Sequence, residues 1–176
     1  MSEKPETSTE IAFISLGSNI DPERFLPLAA EQLHSLGRVL GASSVYQNPA
    51  IGPTRQSDFL NAVILIETSL WPEEIRQRLR TIEAALGRVR TNDRYAPRTI
   101  DLDLILLGDR VLEGDGPALP DPDLLSRAHL AVPAAELKPD FAHPITGEAL
   151  RALADRLRPS APLTPRPDVR LLPNDS

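Results

Sequence analysis

The sequence predicts an α+β domain built on a mainly antiparallel sheet, and three observations carry that prediction. Apolar runs at 11–16, 59–68 and 101–107 alternate only loosely with helical patterns, without the regular repeat of βαβ units. Gly108-Asp109, between the third run and residues 110–112, is a hairpin signal, and hairpins join antiparallel strands. The strands are also partly polar on one face, as antiparallel strands commonly are.

Each element follows from local pattern. The run at 11–16 closes on Gly17-Ser18-Asn19, a buried strand ending in a turn. Asp21 caps the next helix with Pro22 in first position, and Phe25, Leu28, Ala29, Leu33 and Leu36 recur at helical spacing until Gly37. Residues 39–46 read as a strand, and Asn48-Pro49-Ala50-Ile51-Gly52-Pro53 as a loop stiff enough to hold a ligand. In the strand 59–68, Ala62, Ile64 and Ile66 share one face while Asn61, Val63 and Leu65 share the other, so Asn61 is the polar member of a buried row. Trp71-Pro72-Glu73-Glu74 opens a helix whose stripe is Ile75, Leu79, Ile82 and Leu86. Trp71 reads as a packing residue, and Glu83, beside the stripe, as a salt-bridge partner of a nearby arginine. Asp121-Pro122-Asp123 reads as a cap and the start of a short helix reaching Arg127, followed by helices at 133–137 and 146–157. Five prolines in the last 18 residues predict an extended or disordered tail. The expected organisation is a polar extension at 1–10, one domain at 11–158 and a proline-rich tail at 159–176.

Composition narrows the function. A net charge of −6 argues against a general nucleic-acid or anionic-membrane binder. Between Arg76 and Arg98, however, seven arginines face only Glu83 and Asp93, which implies an anionic ligand of limited size. With no cysteine there is no disulfide, thiol catalysis or thiolate zinc site. Residues 1–10 lack the apolar core of a signal peptide, and no run approaches the roughly 20 apolar residues that span a bilayer, so a soluble cytoplasmic protein is expected. His34, His129 and His143 show no metal-ligand spacing.

The chemistry concentrates at 88–107, where four arginines precede Asp101 and Asp103. In a strand these two carboxylates share a face about 7 Å apart, with Ile105 and Leu107 continuing that face and Leu102, Leu104 and Leu106 filling the other. Like charges so close call for a cation, and carboxylates together with substrate phosphates are the usual holders of Mg²⁺. There is no Gly-Lys pair for a P-loop and no Gly-x-Gly-x-x-Gly. A polyphosphate would therefore be held by arginine forks and by metal on Asp101 and Asp103, the logic of phosphoryl and nucleotidyl transfer.

Arg98-Thr99-Ile100-Asp101-Leu102-Asp103, preceded by Gly87-Arg88-Val89-Arg90 and Pro97, resembles the signature of the 6-hydroxymethyl-7,8-dihydropterin pyrophosphokinases. Leu16-Gly17-Ser18-Asn19, Gly52-Pro53, Phe59-Leu60-Asn61-Ala62, Ile82-Glu83, Leu119-Pro120 and Arg127 follow the family's order, so the likeness covers about residues 11–157. It implies a ferredoxin-like fold with helices on both faces and a monomeric enzyme that moves pyrophosphate from ATP to a reduced pterin. On this resemblance two Mg²⁺ bridge Asp101 and Asp103 to the triphosphate, and Arg88, Arg98 and Arg127 neutralise phosphates. Glu83, Arg90 and Tyr95 fall on the ATP side, and 91–96 is a lid. Asn61, Asn48, Pro49 and Ile51 read the pterin edge, and Phe59 stacks on its ring. The chain departs from the pattern at Asp121, where histidine is usual, and at His129, where an aromatic is usual and where an imidazole can stack or carry charge. Tyr95 replaces tryptophan, Asn48 a hydroxyl residue and Ala50 a second proline. Two other readings fit the residues: another metal-dependent nucleotidyl or diphosphoryl transferase, and a binding relative without turnover.

Overall fold

A computed structural model describes residues 8–52, 55–93 and 95–173. Pro53, Arg94 and residues 1–7 of the polar extension lie outside the described residues. The strands are β1 (Glu10–Ser18), β2 (Arg38–Ala42), β3 (Tyr46–Asn48), β4 (Phe59–Thr68), β5 (Asp101–Leu107) and β6 (Thr164–Pro165). They form one sheet in the order β5-β1-β4-β3-β6, with β2 also pairing to β4, and every pair is antiparallel. The helices are α1 (Pro22–Gln32), α2 (Pro72–Ala85), α3 (Ala128–Leu137) and α4 (Leu150–Leu157). Up to β5 the chain follows the βαββαβ course of a ferredoxin-like fold, its second strand broken into β2 and β3.

Helices cover both faces because the strands are apolar on both. Leu26, Ala29 and Ala30 of α1, Leu33 just after it, and Ile75, Leu79 and Ile82 of α2 join Ile14, Leu16, Ile64 and Leu102 in one core. On the other face Ala131, Ala134, Leu150 and Leu153 of α3 and α4 pack with Phe13, Val63, Leu65 and Ile105. Each large aliphatic side chain so buried contributes about 1.5–3 kcal/mol. Among the described residues no helix is long and apolar enough to cross a membrane.

Several local expectations change. The 39–46 segment is two strands, β2 on the far end of β4 and β3 on the near end. Leu107 turns back through Gly108-Asp109, but no hairpin forms on β5; Leu112 bridges to Leu119 instead. A register shift at Phe13/Ile14 leaves Ile105 as an extra residue on β5, so strict alternation fails there: Leu106 joins Ile105 in the second core, and Leu107 joins Leu102 and Leu104 in the first. Asp21 occupies the N-cap position of α1 but makes no side-chain cap bond. Helix α3 begins earlier than expected, at Ala128, and carries Pro133 inside it, while α4 begins later, at Leu150. Trp71, expected to pack, is instead 38% exposed and joins neither core; the Arg110 guanidinium lies 5.0 Å over its ring.

The proline-rich tail is not free. Its residues Thr164 and Pro165 pair with β3, and Val169 and Leu171 are buried against the α1–α2 core. Its prolines supply extended backbone at a sheet edge, where a missing N–H does no harm. Leu171→Ala should therefore destabilise the protein by about 2 kcal/mol, lowering the thermal midpoint by about 4–8 °C. An unchanged midpoint in thermal denaturation would mean that the tail contributes no packing.

Candidate active site

The register of three strands builds the floor of the site. Gly17 in β1 lies opposite Asp101 of β5 on one side and Asn61 of β4 on the other, and Ser15 lies opposite Asp103. Alternation puts all of them on the face covered by α3 and α4, beyond the end of that cover. Gly17 is needed for this close approach, since a Cβ there would stand 2.8 Å from Asn61 Oδ1. The Asn61 amide donates to Asn48 Oδ1 at 2.5 Å, which ties β4 to the end of β3.

Above this floor opens a cleft of about 310 Å³. From β3, β4 and the loop between them it is lined by Asn48, Pro49, Ile51, Phe59 and Asn61. From β5 and the segments on either side come Arg98, Asp101, Asp103, Asp121 and Arg127, with Tyr95 and His129 completing the wall. Twelve of the residues singled out from the sequence thus meet in one cavity.

Arg88, expected on the phosphates, and Glu83 and Arg90, expected on the ATP side, do not line it. The Glu83 side chain is 2% exposed and saturated: Oε1 accepts from Arg80 at 2.7 Å and Arg90 at 2.8 Å, while Oε2 accepts from Arg88 at 2.6 Å and from the Leu102 backbone N–H at 2.9 Å. A carboxylate buried this far from water must be paired, and here arginines and one amide do the pairing. The salt-bridge reading of Glu83 holds, and its place on the nucleotide is corrected. Arg88 spans the same cluster, donating also to Asp101 Oδ1 at 2.6 Å and to the Ile100 carbonyl at 3.3 Å. It therefore stands behind the cleft wall. Arg90 keeps most of its surface in solvent, with one donor on Glu83.

The two aspartates of β5 differ electrostatically. Burial would raise Asp101, but hydrogen bonds and charge from Arg88 and Arg98 overcome that and hold its carboxyl below the usual range. Asp103 has a single, long 3.4 Å contact from Arg80 among the described residues. Burial first, and then the neighbouring Asp101 charge, push it up to about 6. Asp121 is also raised, by burial and by Asp123, although its Oδ1 accepts the Asp123 backbone N–H at 2.9 Å. It is at once the cap expected from Asp121-Pro122 and a carboxylate in the cleft wall. Burial and the Arg127 charge press His129 down to about 4, so its imidazole is neutral near pH 7 and presents a ring, not a charge.

Some of the site escaped sequence reasoning. Asp123, Ser15 and Leu130 also line the cleft, as does Ala96 of the expected lid. Ser15 could have been found, since it alternates with Gly17. Asn19 binds three segments together: its amide donates to Gln56 Oε1 at 2.9 Å and to the Ser57 carbonyl at 3.3 Å, and its Oδ1 accepts the Arg98 N–H at 2.8 Å. Gln56 in turn donates to the Tyr95 carbonyl, and the Tyr95 ring packs so close to Gly52 that a Cβ there would stand 2.7 Å from it. The loop after β3 and the arginine segment thus close on each other over the cleft.

Comparison with known proteins places this geometry. The family described as 7,8-dihydro-6-hydroxymethylpterin-pyrophosphokinase (HPPK) matches residues 13–139. A protein of Methylorubrum extorquens named 2-amino-4-hydroxy-6-hydroxymethyldihydropteridine pyrophosphokinase is 39% identical over 152 residues, covering 85% of this chain and 94% of that protein. One of the same name from Synechocystis is 36% identical, covering 83% and 75% respectively. The folic acid synthesis protein fol1 of Pneumocystis carinii is 33% identical over 84% of this chain, which spans 20% of that longer protein. Among solved structures, wild-type Plasmodium falciparum HPPK-DHPS with pteroate superposes with a TM-score of 0.69 at 13% identity, over 89% of this chain and 43% of that one, a likeness of fold. With its sequence matched over most of its length and its ferredoxin-like sheet shared, the chain belongs to the 7,8-dihydro-6-hydroxymethylpterin-pyrophosphokinase family.

Proposed function

We propose that this chain transfers pyrophosphate from ATP to the hydroxymethyl oxygen of 6-hydroxymethyl-7,8-dihydropterin and releases AMP, a step of folate biosynthesis. One observation carries the reading: a single cleft joins an amide-and-ring end, Asn48, Asn61, Phe59 and neutral His129, to a carboxylate-and-arginine end, Asp101, Asp103, Arg98 and Arg127. The first suits a flat heterocycle with a hydrogen-bonding edge, and the second a polyphosphate. In the reaction the hydroxymethyl oxygen bonds to the β-phosphorus, the bond to the α–β bridging oxygen breaks, AMP leaves with that oxygen, and the hydroxyl proton is released. The names of the Methylorubrum and Synechocystis relatives support the same reaction.

The residues fit Mg²⁺. Among the described residues no three His, Cys, Asp or Glu side chains converge on an all-protein metal site. Mg²⁺ is usually held by one or two carboxylates with substrate phosphates, and Asp101 and Asp103 offer that set. Asp103 in particular is a carboxylate short of positive charge. Two Mg²⁺ held there would supply charge neutralisation and alignment of the phosphates. Arg98 and Arg127 would contact phosphates from the cleft wall, while Arg88 would act through Asp101 and Arg90 would reach in from solvent. Asn61, Asn48, Pro49 and Ile51 would fix the pterin edge, and Tyr95 with 91–96 would cover the nucleotide. We read the protein as a cytoplasmic monomer needing neither nucleic acid nor membrane, in keeping with its net charge of −6.

With ATP, Mg²⁺ and the pterin, the purified protein should form AMP only when all three are present, and Asp101→Ala or Asp103→Ala should slow this by about a hundredfold or more. Absence of AMP from well-folded wild-type protein would refute the assignment. Asp121→Asn, which keeps a cap, and Asp121→His, which adds a donor, should each tighten binding of a non-hydrolysable ATP analogue by about 1 kcal/mol, or about fivefold. Calorimetric titration showing no gain would place that carboxylate off the phosphates. The shift of Asp103 gives a pH dependence. Its folded pKa of about 6 lies above the unfolded value of about 3.9, so its ionisation costs the fold progressively from about pH 4 to 6 and fully above that. Without metal, Asp103→Asn should thus stabilise the protein at pH 8 by about 1 kcal/mol, after discounting for a side chain 40% exposed, and the gain should vanish at pH 4. Denaturation in a chelator reads this directly, and equal stabilities at pH 8 would contradict it.

A further inference from the structure

The tail beyond α4 reaches the cleft indirectly, through the strand that presents Asn48. Strand β3 has three residues, pairs on one side with the near end of β4, and on the other side, among the described residues, pairs only with Thr164 and Pro165 of β6. Arg166 follows at once. Its backbone N–H donates to the Val45 carbonyl at 2.8 Å. Its guanidinium donates to Gln47 Oε1 at 3.0 Å, to Glu23 Oε1 at 3.3 Å, and in a two-point fork to Asp168 at 2.9 and 2.8 Å. Gln47 passes the connection on, its amide donating to Asp58 Oδ2 at 2.9 Å.

Gln47 precedes the loop that supplies Pro49 and Ile51 to the cleft, and Asp58 ends it. The chain Arg166–Gln47–Asp58 therefore holds both feet of that loop, and each foot is followed or preceded by a cleft residue, Asn48 on one side and Phe59 on the other. Exposed ion pairs taken singly contribute little. Here the fork to Asp168 and the Val45 bond fix the guanidinium before it meets Gln47, and burial of Val169 and Leu171 anchors the segment behind it.

We propose that Arg166 is a positioning residue that clamps the base of the loop between β3 and β4 and thereby sets affinity at the Asn48–Asn61–Phe59 end of the cleft. The ligand named for that end rests on the function proposed above, whereas the clamp itself does not. Two measurements on the full chain separate them. In ligand-free protein, Arg166→Ala and, independently, Gln47→Ala should speed amide hydrogen exchange at 46–48 and 59–61 and leave β1 and β5 unchanged. In binding titrations with 6-hydroxymethyl-7,8-dihydropterin beside a non-hydrolysable ATP analogue, each variant should weaken pterin binding about fivefold to tenfold, with the analogue's affinity held within about twofold. The double variant should be no weaker than either single one. Unchanged exchange at 46–48 overturns the clamp. Faster exchange with equal losses for both ligands overturns the positioning role and leaves Arg166 a general stabiliser. Should the wild type not bind the pterin at all, the assignment of the ligand fails, and the exchange measurement still decides the clamp.

Discussion

The constraint on which the rest depends is the burial of Glu83. A carboxylate removed from water costs several kcal/mol unless its acceptor capacity is filled. In this fold it is filled by Arg80, Arg88, Arg90 and the Leu102 amide. Those partners come from α2, from the arginine segment and from β5, so one buried charge ties three stretches of chain at the edge of the cleft. It also gathers guanidinium groups that would otherwise repel one another as the segment packs. Arg88 carries the arrangement forward, because the same nitrogen that meets Glu83 also meets Asp101.

From that anchor follows the difference between the two aspartates of β5. Asp101 receives a guanidinium on each oxygen, whereas Asp103 faces the cleft with one distant partner among the described residues. Identical side chains two residues apart are thus shifted in opposite directions. In the function proposed here, Asp101 stays ionised under all working conditions and Asp103 is the carboxylate most in need of a cation. Asp121 and Asp123 add negative charge to the same wall, which makes the cleft still more receptive to divalent metal brought in with phosphates.

The end of the cleft formed by Asn48, Asn61, Phe59 and His129 is built on packing and register instead of charge. Gly17 leaves the space that Asn61 fills, Asn61 fixes Asn48, and the neutral ring of His129 closes the wall from the start of α3. The loop above is held by Asn19 and Gln56 on its inner side and by the tail on its outer side. A sheet with helices on both faces leaves only its strand ends open, and the cleft lies at those ends of β1, β4 and β5.

Much of this was legible in the residues because it depends on local period. Alternation placed Asp101 and Asp103 on one face and Asn61 in a buried row. Apolar pattern bounded β4 and α2, and Pro22 and Pro72 marked helix starts. The antiparallel α+β class followed from the spacing of these elements. Where the reading failed, the deciding partner lay far away in sequence. The bulge opposite Phe13 breaks the alternation of β5 at Ile105, and only the pairing of two strands creates a bulge. Composition left the tail extended or disordered; it is extended and ordered, because β3 takes it as an edge partner and the α1–α2 core has room for Val169 and Leu171. Asp101 and Asp103 are interchangeable in a local reading. Their opposite pKa shifts arise because the three-dimensional fold brings arginines to one and leaves the other facing the cleft. The sequence by itself therefore determined which groups could do the chemistry, since periodicity is a property of the chain. Tertiary structure decided which of them face the cleft and how their pKa values shift, since solvation and ion pairing depend on neighbours that only folding supplies.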